Sequence, residues 1–213
     1  MNCDIITPKS GGGIGHFYID KRSLFRSYVS ILSKKTPIIY QHFLPLEKNR
    51  QLITKHLNCD AIPKVIVSVR NIYDVAVSCA DHQRNIIGPW WIMREEKKFF
   101  AEDNAETHSH MWNAIICLKF YAAWVIAAQI GKWDVCFIDF DVITQNPEVC
   151  LKTIADFYDI AFSGVDSDKL KTISDNVNVG KSRRGEALDI EYKKMLKEFS
   201  GSFKGVDFTP LGL

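Results

Sequence analysis

PKVIVSVRNIYDVAVSCADHQRN, residues Pro63 to Asn85, decides the fold. Val65 to Val69 is a run of β-branched or small residues bounded by Pro63 and by Arg70. A short apolar run of that kind reads as a strand buried in a parallel sheet. A helix is expected to begin at once, from Asn71 onward. Asp74 suits its first turn, and Ala76, Ser78 and Ala80 suit close packing. A strand passing directly into a helix is the repeating unit of an α/β domain.

The same alternation extends in both directions. Cys3–Ile6 reads as a first strand, Lys21–Ser33 as a helix and Pro37–Tyr40 as a short strand stopped by Pro45. Leu46–Leu57 suits a helix of a few turns, and Ser109–Ile130 a long one. Asp134–Phe140 is a further strand that ends in acidic Asp139 and Asp141. A helix follows it, with Asn146 as cap and Pro147 at the first helical position. A closing helix is expected near Glu186–Phe199, then a Gly- and Pro-containing tail. The implied fold is α/β: a three-layer, P-loop-like sandwich with a central, mostly parallel sheet. With no repeat, low-complexity tract or linker, the chain of 213 residues reads as one domain, 1–213.

Composition narrows the function classes. Hydrophobic residues at 46% and charged residues at 24% are ordinary for a folded chain. A net charge of +2 gives no broad surface for nucleic acid but leaves room for a local basic pocket. No uninterrupted apolar window of 18 residues or more appears, which argues against a membrane span. The most apolar helix, from Met111, is broken by Asn113, Lys119 and Gln129 and reads as buried. The first residues lack the basic and apolar regions of a signal peptide. The six cysteines show no C-x-x-C spacing and read as reduced thiols in a cytoplasmic setting. His108 and His110 have no third partner at sensible spacing, so no metal is expected.

The stretch TPKSGGGIGHF, Thr7 to Phe17, lies between the first strand and its helix. Backbone N–H groups of a glycine-rich loop in that place converge on an anion, and the helix start adds partial positive charge. The pattern is not G-x-x-x-x-G-K-[ST], because Lys9 precedes the glycines and no hydroxyl follows them to hold magnesium. It does not fit G-x-G-x-x-G either. From spacing alone, an anion site and a plain flexible turn stay equally open.

TPKSGGG resembles the 5′-phosphosulfate loop of the sulfotransferases that use 3′-phosphoadenosine 5′-phosphosulfate, P-K-S/A-G-T-T-W. Pro8, Lys9, Ser10 and Gly11 match; Gly12 and Gly13 stand where hydroxyl residues usually sit. VIVSVRNIYDVAVSCADH is similar to that family's V-R-N-P-x-D-x-x-x-S strand and helix. Arg70, Asn71, Asp74 and Ser78 match, and Ile72 replaces the proline. SRRGEALDIE resembles R-K-G-x-x-G-D-W through Arg183, Arg184, Gly185 and Asp189. The segment from Val135 to Ile160 resembles a further family strand and helix.

The resemblance implies two anion sites on one donor nucleotide. Lys9 and the backbone of Ser10, Gly11, Gly12 and Gly13 would hold the phosphosulfate end and stabilise the leaving oxygen. Arg70, Ser78, Arg183, Arg184 and Gly185 would hold the 3′-phosphate. A histidine would act as base. His42, in PIIYQHFLP, fits the family's G-H-F form; against its K-T-H-L-P form Phe43 takes the place instead. The implied acceptor is a small molecule or carbohydrate with a hydroxyl, and segment 86–108 would shape its site. Two other readings stay open: a non-catalytic nucleotide-binding protein on this scaffold, and a P-loop kinase-like enzyme.

Overall fold

The computed structural model describes residues 3–6, 18–19, 21–34, 36–39, 41–57, 62–82, 105–164 and 188–213. Within them, β1 (Cys3–Ile6) and β2 (Thr36–Ile39) pair in parallel, with Cys3 opposite Thr36 and Ile6 opposite Ile39. Parallel neighbours need a crossover, and α1 (Lys21–Leu32) lies between them in sequence and packs on both strands. Its buried side chains are Ser23, Leu24, Ser27 and Ser30. Small side chains on that face let the helix approach the strands closely. Ser27 satisfies its buried hydroxyl by donating to the Ser23 carbonyl at 2.9 Å.

Next come α2 (Glu47–Leu57), β3 (Lys64–Val69) and α3 (Ile72–His82). α4 (Ala105–Gln129) precedes β4 (Asp134–Asp139), which pairs with β3. The Asp134 N–H donates to the Pro63 carbonyl at the start of both strands, 3.0 Å. At the other end Arg70 lies over the ring of Phe140. The two strands therefore run the same way, as the αβ alternation requires.

The long helix α4 starts at Ala105, before the expected Ser109. Its end is set by Gly131 at φ 67, with Gly131 N–H to Ala128 O at 2.9 Å and Lys132 N–H to Ala127 O at 3.3 Å. This left-handed cap satisfies carbonyls that the helix leaves open. Met111–Gln129 has a mean hydropathy of 1.5 and is long and apolar enough to cross a membrane by length and composition. It buries Asn113, Ala114, Leu118, Tyr121, Ala122, Trp124 and Ala127 but exposes Trp112 and Ile126. One face is thus covered by protein, and the helix read as buried from the sequence is buried along that face.

After β4 the chain forms a short helix, α5 (Phe140–Gln145), whose first residue the sequence reading gave to the strand and whose remainder it left unassigned. Asp139 starts it by accepting from the Asp141 N–H at 2.6 Å. α6 (Pro147–Phe157) has Pro147 in the expected first turn. Asn146 precedes it, but its side chain makes no capping bond. Its backbone joins the two helices: the N–H donates to the Val142 carbonyl at the end of α5, and the carbonyl accepts from Cys150 N–H at 3.1 Å in α6. α7 (Ile190–Ser200) begins later than Glu186, because Asp189 is its cap and accepts from Glu191 N–H at 2.9 Å. A 3₁₀ turn at Thr209–Leu211 follows in the tail.

The residue contacts group into two compact units: Met1–Val65 with Ala123–Val135, and Ile66–Ala122 with Cys136–Leu213. The first centres on Trp124 and Trp133, 5.2 Å apart edge to face, with Phe43 against both. In the second, Tyr121 packs on Phe137 and Phe208, and Leu118, Leu196, Ile72 and Ala76 are buried. Cys117, Cys136 and Cys150 are thiols.

Tyr192 on α7 is buried, and its hydroxyl has no hydrogen-bond partner among the described residues. Burial pushes its ionisation well above the ordinary range, with Cys117 and Tyr73 adding to the shift. An unsatisfied buried hydroxyl costs about 1 to 3 kcal/mol. Tyr192→Phe is therefore expected to leave stability unchanged or raise it by up to ~1 kcal/mol in urea unfolding. A clear loss in that variant would mean the hydroxyl is satisfied.

Candidate functional site

The turn from β3 to α3 carries the residues singled out from the sequence. Arg70 follows the last strand residue, Val69, which is buried and fixes the backbone there. Asn71 then caps α3: its side-chain oxygen accepts from Tyr73 N–H at 3.0 Å and its carbonyl from Val75 N–H at 3.0 Å. The capping bond explains why the helix starts at Ile72 without the proline found in the family pattern.

Arg70 is only 21% exposed at its side chain. Its guanidinium lies 4.5 Å from the centre of the Phe140 ring. Its Nη2 is 3.9 Å from an Asp74 carboxylate oxygen. That distance exceeds hydrogen-bond length, so Asp74 attracts and orients the guanidinium without binding one of its N–H groups. Asp74 and Ser78 are four residues apart on α3 and share one face. Ser78, half-buried, therefore stands one helical turn beyond the carboxylate that Arg70 addresses. Phe140 was not singled out from sequence; the signal was an aromatic residue directly after the acidic end of a strand.

The arrangement suits an anion. A preoriented guanidinium presents a planar fork of donors, and a hydroxyl one turn away adds another. It lies beyond the carboxyl ends of β3 and β4, where open α/β sheets place ligands.

His42 lies in the other compact unit, on the segment between β2 and α2, and is exposed. Three anchors hold that segment. Gln41 donates to the Tyr18 carbonyl at 2.8 Å. Phe43 packs on Trp124 and Trp133. Buried Asn49 of α2 donates to the Leu44 carbonyl at 2.8 Å and accepts from Ile19 N–H at 3.1 Å. Of the two residues that competed for the histidine position, Phe43 is a packing residue and His42 is the exposed one. Asn49 was not foreseen, because a lone Asn in a polar helix gives no sign that it will be buried.

Lys9, Ser10, Gly11, Gly12 and Gly13 lie outside the described residues, as do Arg183, Arg184 and Gly185. So do most of segment 86–108 and the side chains of His108 and His110. Among the described residues no three His, Cys, Asp or Glu side chains gather as a metal site requires.

A family model described as a sulfotransferase domain matches residues 20–205. The chain belongs to the sulfotransferase domain family. The family chemistry is sulfuryl transfer, and its standard donor is 3′-phosphoadenosine 5′-phosphosulfate. The match includes His42, Arg70, Ser78 and Arg183 to Gly185. It begins after Lys9 to Gly13, so the sulfotransferase assignment does not rest on the glycine-rich loop. No curated protein and no solved structure matches the chain.

Glu47, which opens α2 after the His42 segment, is held by Arg50 through two bonds of 2.6 and 3.1 Å, with Lys132 at 3.6 Å. The Arg50 hydrogen bond comes first among the causes that lower its carboxyl from 4.5 to about 2. A lowered folded-state value contributes stability above the ordinary value, and that contribution is lost as pH falls towards the folded value. The group is exposed, so the contribution is small. Carboxyl NMR titration should find the Glu47 midpoint near 2, and Arg50→Gln should move it up towards 4.5. A midpoint that ignores Arg50→Gln would separate the carboxylate from its guanidinium.

Proposed function

We propose that this sulfotransferase moves a sulfuryl group from 3′-phosphoadenosine 5′-phosphosulfate to the hydroxyl of a small-molecule or carbohydrate acceptor. The observation that supports it best is Arg70, preoriented by Phe140 and Asp74, with Ser78 one turn away. This pair fits a 3′-phosphate. In the proposed site Arg183, Arg184 and the Gly185 backbone close on the same phosphate. Lys9 and the backbone from Ser10 to Gly13 take the phosphosulfate end.

The acceptor oxygen attacks sulfur in line, forming one S–O bond as the S–O bond to the 5′-phosphate breaks. His42 takes the acceptor proton. Lys9 and the loop N–H groups stabilise the negative charge on the departing phosphate oxygen, and 3′,5′-adenosine bisphosphate is released. Positioning and fixed charge supply the catalysis. No metal is required in this scheme, because cationic side chains carry the compensating charge. The same reading takes the sheet as the centre of a three-layer, P-loop-like sandwich and the protein as cytoplasmic.

The test is transfer from ³⁵S-labelled donor to a panel of hydroxylated acceptors. His42→Ala is expected to lower turnover by about 10² to 10⁴-fold while retaining affinity for 3′,5′-adenosine bisphosphate. Full turnover in that variant would remove the base assignment. Tight nucleotide binding with no transfer to any acceptor would favour the non-catalytic reading. The absent hydroxyls at Gly12 and Gly13 are the feature that reading explains.

A further inference from the structure

We propose that the turn at residues 209–212 is a positioning element for the Arg70 half-site, acting through contact of Gly212 with Asn71. The proposal rests on the reading of Arg70 as a phosphate ligand and adds to it a part of the chain that touches no substrate.

The turn is tied down from several sides. Asp207 accepts from Thr209 N–H at 2.9 Å, and its carbonyl accepts from the Tyr121 hydroxyl at 3.0 Å. Phe208 and Leu211 are buried. Gly212 N–H donates to Thr209 O at 2.9 Å, with Gly212 in the left-handed region at φ 80.

What the turn presses against is the cap of α3. A Cβ built on Gly212 would lie 2.5 Å from Asn71 Nδ2 and 3.3 Å from its Cγ. Only a residue without a side chain permits that approach. The oxygen of the same Asn71 amide accepts from Tyr73 N–H. The amide is thus held on one edge by the helix start, and its other edge fills the space that a side chain on Gly212 would need. Asn71 is bonded directly to Arg70, so a shift of the cap moves the guanidinium relative to any phosphate. Misplacement by about 1 Å costs up to 10²-fold where charged groups must meet in fixed geometry.

A control is built into the chain. Gly205 has almost the same backbone angle, φ 77, but a Cβ there meets nothing within 4 Å. Gly205→Ala therefore carries the backbone strain without the collision. Asn71→Ser keeps a capping oxygen while shortening the side chain away from Gly212.

Two readouts are needed: calorimetric affinity for 3′,5′-adenosine bisphosphate, and amide hydrogen exchange at Tyr73 and Val75 without nucleotide. Gly212→Ala is expected to weaken binding about tenfold and to speed exchange at both amides. Gly205→Ala should leave both near the parent values. Adding Asn71→Ser to Gly212→Ala should recover most of the affinity. Unchanged affinity and exchange in Gly212→Ala overturn the proposal, and so does an equal loss in Gly205→Ala. If the parent protein binds no bisphosphate, the donor reading fails. Exchange then decides alone: faster exchange confined to Tyr73 and Val75 in Gly212→Ala sustains the contact, and unchanged exchange overturns it.

Discussion

A guanidinium resting on an aromatic ring, with a carboxylate just beyond hydrogen-bond reach, is the interaction on which the described half of the site depends. Arg70 has many rotamers in water, and fixing them costs entropy when an anion arrives. Here Phe140 and Asp74 bear that cost in the folded protein. β3 fixes the backbone before Arg70 and the Asn71 cap fixes it after. Three elements thus converge on one cation: the end of a strand, the first turns of the helix that follows it, and the first residue of the helix after the neighbouring strand.

The elements were legible where local chemistry and burial agree. Cys3–Ile6 and Lys64–Val69 were recognisable as strands because short apolar runs are bounded by polar or proline residues. The start of α7 moved through its cap. Asp189 competes for the start of α7 with Glu186, and a side-chain acceptor at the cap outweighs the apolar pattern. Helix α5 escaped notice because six residues are too few to show periodicity, and Phe140 extends the β-like run before it.

The candidate site was legible in part for a related reason. Arg70 and Ser78 belong to one contiguous strand and helix, so their relation is set by local geometry. Phe140, Asn49 and Gly212 reach their partners through the tertiary fold, over separations that no short motif records. A glycine in a tail reads as a loosening residue. Here its missing side chain permits close packing. The family match includes Arg70, Ser78 and His42 but not Lys9, and the leading lysine loop rests on sequence alone.

The most direct measurement of the central claim compares two nucleotides that differ only in the 3′-phosphate. Calorimetry would give affinities of 3′,5′-adenosine bisphosphate and adenosine 5′-monophosphate for the parent protein and Arg70→Ala. A charge-assisted contact to the 3′-phosphate is worth about 1.5 to 3 kcal/mol, so Arg70→Ala should weaken the bisphosphate roughly 10- to 100-fold. Affinity for the monophosphate should stay nearly constant. An equal loss for both nucleotides, or no loss for either, would contradict the assignment of Arg70 to the 3′-phosphate.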